Sequence, residues 1–291
     1  METAICYLII NQIPSMPELA IKSMLENTSS KIFLGYLREE DLPPISNNDR
    51  IQKIKLELPE RFNFTLSSLD YLPFDNTEFF RLVALKWQLF ELIFEKGYDL
   101  VIYSDLDVMV FSDLVDDIEK SFKTFSDTDV LIQDASRYAH DPRLCMGLIA
   151  MRKSERVNLL IKDCYERHLL ATQDGSRVGD DDIITQYYLS NQNRKWIMLL
   201  PQATYPVGQY LNLFSNWDLF PGLRPAKPII FHSNYVIGRK NKILLMLRSS
   251  SLIDPKNYSF RKVHLFVILL KRIRLYLGTK KKSYWFHNTS N

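Results

Sequence analysis

LVIYSDLDVMVF, residues 100–111, is a short apolar run that closes on two carboxylates spaced two apart, Asp105 and Asp107. The unbroken series Leu100, Val101, Ile102 and Tyr103 fits a strand covered on both faces, the habit of a central parallel strand. In extended chain, residues i and i+2 project to one side, so Asp105 and Asp107 are expected to converge while Leu106 faces away. Two ionised carboxylates at the mouth of a buried strand repel each other, and a hard divalent cation offsets that repulsion. The stretch therefore reads as a metal site. It also admits a plainer reading, the polar end of a strand with one acid solvated and the other capping the next helix, and the rest of the chain has to choose between them.

A chain of 291 residues, 46% hydrophobic and 24% charged, has an ample core for one large α/β domain or two small ones. Cys6, Cys145 and Cys164 are odd in number, widely spaced and set among apolar residues, which indicates neither a disulfide framework nor a zinc cluster and favours a reducing compartment. Sequons at Asn27, Asn63, Asn257 and Asn288 carry meaning only in a secreted chain. METAICYLIINQIP has no basic n-region and only a short apolar run, so no secretion signal is expected. No apolar run reaches the roughly 18 to 20 residues that span a bilayer. A cytoplasmic protein is the expectation.

Strands are expected at Ala4–Ile10, Lys31–Leu37 and Gln52–Leu58, with a helix over Pro17–Glu26 between the first two. Strand, helix, strand opens a nucleotide-binding type α/β sheet, yet the Gly-rich dinucleotide fingerprint is missing. Asp75–Lys96 reads as one helix, with Asp75 and Glu78 resembling a capping box and Gly97 as its stop. It is apolar nearly all round, so Arg81 and Lys86 sit either at a solvated rim or opposite an anion. A helix over Ser112–Phe125, a strand over Asp129–Gln133 ending on Asp134, and a strand over Arg143–Met151 follow. Gly147 interrupts the last of these, where a ligand or another backbone can approach closely. Ser154–Thr172 reads as a helix. Asp180, Asp181 and Asp182 stand ahead of another, either as a functional carboxylate cluster or as an N-cap with solvated neighbours. Trp196–Leu200 and Pro228–His232 are short strands, and the segment between them reads as a folded loop region. HSNYVIGRKNK, residues 232–242, reads as a loop suited to a polyphosphate through His232, Gly238 and a basic run of Arg239, Lys240 and Lys242, or else as a solvated surface.

With these pieces in order, the chain resembles the nucleotide-diphospho-sugar transferases, GT-A type glycosyltransferases close to the retaining galactosyl- and xylosyltransferases. The likeness rests on FFRLVALKWQLFELIFEKGYDLVIYSDLDVMVF, on MGLIAMR, similar to the family's Asn/Ser-Gly strand, and on DDDIITQ, similar to its Asp-Gln-x-x-Leu-Asn box. HSNYVIGRKNK matches its His-x5-Gly-x3-Lys ending through His232, Gly238 and Lys242. Met146 replaces the residue before the family's glycine, Asp181 its Gln and Thr185 its Asn. The resemblance implies an α/β fold of GT-A type with a mostly parallel central sheet flanked by helices. It also implies transfer of a sugar from a nucleotide-diphosphate donor, UDP-linked, to a glycan or glycolipid acceptor, with retention.

Asp105, Asp107 and His232 are the expected ligands of Mn2+ or Mg2+, the imidazole favouring Mn2+. Lys242 and the Gly238 backbone would hold the diphosphate, with Arg239 and Lys240 as weaker candidates. The resemblance places Asn11 near the nucleoside, Arg81 and Lys86 near phosphate or sugar, Gly147 at the donor, and Asp134, Asp180 and Asp181 facing the sugar. Asp181 and Asp180 are the catalytic candidates, as nucleophile or cation stabiliser.

The net charge of +3 hides an asymmetry: after Asp254 there are nine basic residues and no acid, which leaves 28 basic against 34 acidic residues before it. Residues 1–250 are expected to form the transferase domain and 251–291 a basic amphipathic tail. Phe260–Leu277 places Phe266, Leu269, Leu270, Ile273 and Leu277 on one stripe, suited to peripheral contact with the inner face of an anionic membrane or to docking on the domain. Nucleic acid is not an expected partner, since no recognised module is present and the main domain is acidic. Two rivals share the central stretch. One is a haloacid-dehalogenase-like phosphohydrolase, which normally opens its domain with this motif; the other is a glycan- or nucleotide-binding module without turnover.

Overall fold

A computed structural model describes residues 1–10, 15–59, 77–136, 140–173, 175–190, 194–207, 228–234 and 239–253. In chain order these form β1 (Thr3–Ile9), α1 (Ser15–Asn27), β2 (Lys31–Tyr36), β3 (Ile51–Lys55), α2 (Thr77–Val83), α3 (Leu85–Glu95), β4 (Leu100–Ser104) and β5 (Val108–Val110). They continue with α4 (Leu114–Thr124), β6 (Val130–Asp134), β7 (Leu144–Arg152), α5 (Glu155–Ala171), α6 (Asp180–Ser190), β8 (Ile197–Leu200), β9 (Ile230–His232) and α7 (Arg239–Ile253). The chain divides into two compact units, Met1–Met246 and Leu247–Asn291. The amphipathic stripe over Phe260–Leu277 lies outside the described residues.

Seven strands make one sheet in the order β3-β2-β1-β4-β7-β6-β8, parallel throughout except for β7, which runs against both β4 and β6. The expected mostly parallel sheet is thus present. Apolar side chains alternate between its two faces, as the strand period dictates. Ala4, Cys6, Leu8, Val101 and Tyr103 pack with Trp87, Phe90 and Ile93 of α3 and with Leu160 and Cys164 of α5. Ile5, Tyr7, Ile9, Leu100 and Ile102 pack with Ala20, Ile21 and Met24 of α1 and with Ile118 and Phe122 of α4. From β1 the chain runs outward to β2 and β3, then returns to lay β4 on the other side of β1. The crevice outside the carboxyl ends of two strands where the order reverses is where open α/β sheets bind ligands. Asp105 follows directly on β4 at that point.

Two local expectations are corrected. Asp75–Lys96 is not one helix, because α2 and α3 meet at a tightened turn in which Ala84 N–H donates to Arg81 O and Trp87 N–H to Ala84 O, both with i to i+3 spacing. Gly97 does stop α3, at a φ of +98° that only glycine adopts without strain. The second correction concerns the central stretch. β4 ends at Ser104, and Asp105 to Val108 is a turn closed by a 3.2 Å bond from Val108 N–H to Asp105 O. The two carboxylates therefore do not meet by strand alternation. Among the described residues, no helix is long and apolar enough to cross a membrane.

Trp87 is fully buried and meets Phe90 edge to face at 5.7 Å, while its indole N–H donates to His168 Nδ1 at 3.4 Å. Trp87→Ala is expected to lower unfolding stability by about 3–5 kcal/mol in urea titration, since it opens a cavity under the sheet and removes a donor from a buried imidazole. A loss below about 1 kcal/mol would contradict this packing.

Candidate functional site

The turn after β4 does what strand geometry alone would not. Asp105 N–H is tied to Gly147 O at 2.8 Å, and the chain then enters β5, which pairs antiparallel with β9 so that Val108 lies opposite His232. Ser233 N–H donates to Asp107 O at 2.9 Å. This two-stranded ribbon carries His232 to the carboxylates: its Nε2 lies 3.0 Å from Asp107 Oδ1 and 3.8 Å from Asp105 Oδ2. One ligand atom from each of Asp105, Asp107 and His232 falls within 4.8 Å of the others. Two hard carboxylates and one imidazole form a donor set that fits Mn2+ or Mg2+.

Gly147 shows why β7 carries a glycine. A Cβ there would stand 1.9 Å from His232 Cε1, so the imidazole packs on bare backbone. The close approach expected at this position is made by a side chain from β9.

Two lysines flank the acids. Lys86 Nζ lies 3.0 Å from Asp105 Oδ1 and 2.5 Å from Asp180 Oδ2, and 4.6 Å from the centre of the Tyr103 ring. Tyr103 in turn donates its hydroxyl to Asp105 Oδ1 at 2.7 Å. Burial works against the charge on Lys86, but Asp105 and Asp180 outweigh it and hold the ammonium well above its usual range. Of the two readings open for Lys86, it is the one opposite an anion. On the other side, Lys242 Nζ lies 2.5 Å from Asp107 Oδ2. Burial raises the Asp107 carboxyl, yet the Lys242 ammonium beside it overcomes this and keeps it far below the ordinary carboxylate range.

Asp180 and Asp181 occupy the first turn of α6. Asp181 accepts the Met146 N–H at 2.6 Å. Burial first, and the neighbouring Asp180 second, push its carboxyl up to about 8. Thr185 accepts from Leu144 N–H at 3.0 Å, a second tie between α6 and β7. Adjacent acids thus have different electrostatic characters, one ion-paired and one neutral near pH 7.

Arg81 donates from Nε to Thr172 O at 3.0 Å and from an Nη to Gln173 O at 3.3 Å, holding the carbonyls at the end of α5. Asp134 ends β6 and accepts the Ser136 N–H at 2.8 Å. The basic run Arg239–Lys242 is the first turn of α7 and not a loop, because RKNKILLMLRSSSLI contains neither Gly nor Pro to break a helix. Asn11 and Gly238 lie outside the described residues. Sequence reasoning passed over Tyr103 and also Gln133, whose amide oxygen lies 2.8 Å from His232 Nδ1. A glutamine directly after the apolar Val130–Ile132 was the available signal, since a buried polar group in an inner strand needs a partner.

Residues 49–246 match the family described as nucleotide-diphospho-sugar transferase. UDP-D-xylose:L-fucose alpha-1,3-D-xylosyltransferase 3 of Arabidopsis thaliana is 25% identical over 182 residues, which cover 58% of this chain and 46% of that protein. The chain therefore matches a little under half the length of that relative. The crystal structure of the galactosyltransferase LgtC, in complex with donor and acceptor sugar analogs, superposes with a TM-score of 0.56 at 14% identity, over 86% of this chain and 95% of that one. The apo form of mouse xyloside xylosyltransferase 1 superposes with a TM-score of 0.49 at 12% identity, over 80% of this chain and 98% of that one. A mostly parallel seven-stranded sheet flanked by helices, carrying its acids at the reversal of strand order, is the GT-A type architecture. By the extent of the family match, this chain belongs to the nucleotide-diphospho-sugar transferase family.

Proposed function

We propose that the protein is a metal-dependent glycosyltransferase that moves a sugar from a UDP-linked donor to a glycan or glycolipid acceptor, with retention of anomeric configuration. The observation that carries this is the convergence of Asp105, Asp107 and His232 within 4.8 Å of one another beside Lys242. The Arabidopsis relative's name, with UDP-D-xylose as donor, supports a UDP-linked sugar.

In this reading Asp105, Asp107 and His232 hold Mn2+ or Mg2+, and the bound ion supplies Lewis-acid relief of the charge that grows on the departing diphosphate. Lys242, in the first turn of α7, exchanges Asp107 for a phosphate oxygen, and the helix amino terminus favours the same anion. Gly238, directly before Arg239 in sequence, would lend its backbone N–H. Asn11, just past the carboxyl end of β1, would meet the nucleoside. Lys86 bridges Asp105 to Asp180, so the group that holds one of the ligand carboxylates in place also sets the carboxylate facing the sugar. Asp180 supplies negative charge beside an oxocarbenium-like centre, while Asp134 and the neutral Asp181 hold sugar hydroxyls. Arg81 acts indirectly, by fixing the end of α5 against α2. Placement of the acids after the fourth strand of the main sheet speaks against the phosphohydrolase reading, in which the motif opens the domain.

The three cysteines are buried and free, which supports a reducing cytoplasmic setting. The Asn27 sequon is engaged within the fold, its side-chain amide donating to Ser23 O at 2.8 Å and Val110 O at 3.1 Å. Peripheral membrane contact through residues 251–291 rests on the basic amphipathic pattern alone.

Asp107→Ala is expected to lower turnover of UDP-sugar at least about a thousandfold, on the scale of losing a principal electrostatic stabiliser, and EDTA should do the same to the wild type until Mn2+ is restored. Full activity of the variant in EDTA would remove the proposal. Asp181 gives a pH signature. Its carboxyl is neutral in the fold up to about 8 but ionises near pH 4 once unfolded, so its contribution to stability is complete below pH 4 and disappears as pH rises towards 8. Urea midpoints of Asp181→Asn should therefore gain on the wild type from pH 5 to pH 8; parallel curves would contradict the burial of this acid. The full chain is expected to float with vesicles containing anionic lipid and to stop doing so when residues 255–291 are removed; unchanged flotation would exclude the tail as the contact.

A further inference from the structure

His232 faces two competing acceptors. Asp107 Oδ1 lies 3.0 Å from its Nε2, and Gln133 Oε1 lies 2.8 Å from its Nδ1. A neutral imidazole carries one proton, and only the ring nitrogen without it has a lone pair for a cation. If the proton sat on Nε2, it would bond Asp107 and close the ligand position. The environment of Gln133 decides the matter. This side chain is fully buried, and its Nε2 donates to Tyr205 O at 3.0 Å and to Pro206 O at 3.3 Å. Turning the amide over would set its oxygen against two carbonyl oxygens, so the acceptor end must face the ring. The segment that orients Gln133 also holds the histidine backbone, since His232 N–H donates to Pro206 O at 3.2 Å.

Around the ring the other contacts agree. Cys145 Sγ lies 3.6 Å from Nδ1 and accepts from Asn234 Nδ2 at 3.3 Å; as a weak donor and weak acceptor at that distance the thiol competes poorly with the Gln133 oxygen at 2.8 Å. The bare backbone of Gly147 lets the imidazole lie flat where its Nε2 reaches the acids. We propose that Gln133 is the positioning residue of the site: its amide oxygen holds the proton on His232 Nδ1 and so leaves Nε2 free to bind a divalent cation beside Asp105 and Asp107. This rests on the metal reading above and adds the residue that makes the histidine competent for it.

The test uses the full chain, labelled with 15N-histidine, and long-range 1H–15N spectra with and without Mg2+, the His232 signals being those lost in His232→Gln. Mn2+ affinity is measured alongside by the EPR signal of free Mn2+. The wild type should show the Nδ1–H tautomer. Gln133→Met, which keeps size but removes the acceptor, should bind Mn2+ about ten- to a hundredfold more weakly, as outer-shell partners of metal-bound histidines do, and should move the proton to Nε2. An Nε2–H tautomer in the wild type overturns the proposal, a result that needs no variant to fold. So does wild-type Mn2+ affinity in a folded Gln133→Met. Absence of any Mn2+ binding by the wild type overturns instead the metal reading on which this inference is built.

Discussion

Two carboxylates at the end of a fully buried strand repel each other, and the fold around β4 is arranged to offset that repulsion. Asp105 and Asp107 are each met by an ammonium group at salt-bridge distance, Lys86 on one side and Lys242 on the other. The Lys242–Asp107 pair joins positions 135 residues apart in the chain, so there the electrostatics of the site and the closure of the fold are one event. Removing either lysine would leave an acid with less compensation, Asp105 in a half-buried setting and Asp107 in a buried one, where such imbalance costs more than at a surface.

The same logic extends outward from the pair. Lys86 serves Asp105 and Asp180 together, which brings the first turn of α6 to the mouth of β4. Asp181, next in sequence, turns to the Met146 N–H and loses its charge to burial. Neighbouring acids on one helix turn are thereby set apart, Asp180 in an ion pair with Lys86 and Asp181 held neutral by burial. The aspartate that stands where the resemblance implies a glutamine is held in a neutral form whose hydrogen-bonding capacity is close to that of an amide.

Much of this was legible in residue order. Leu100 to Tyr103 announced a buried strand by lacking any polar residue, Gly97 announced the end of α3, and Gly147 announced a close approach, because each depends on local backbone or periodicity. The convergence of Asp105, Asp107 and His232 was anticipated from ordered motifs, but for an incomplete reason: strand alternation was assumed where a turn and the pairing of β5 with β9 bring the three together. Arg81 holds the carbonyls at the end of α5. No sequence pattern distinguishes a guanidinium facing a phosphate from one facing a helix end, since both satisfy the same donors.

The sequence by itself determined the α/β class, the central strand and the types of group available at its carboxyl end, because these follow from hydrophobic period and side-chain chemistry. Tertiary structure alone decided which lysine meets which acid, which aspartate stays neutral, and which atom of His232 faces the carboxylates. Those outcomes are set by distance and by desolvation in three dimensions. Neither quantity is written into the order of residues until β9 has come to lie against β5 and Gly147 has made room for the ring.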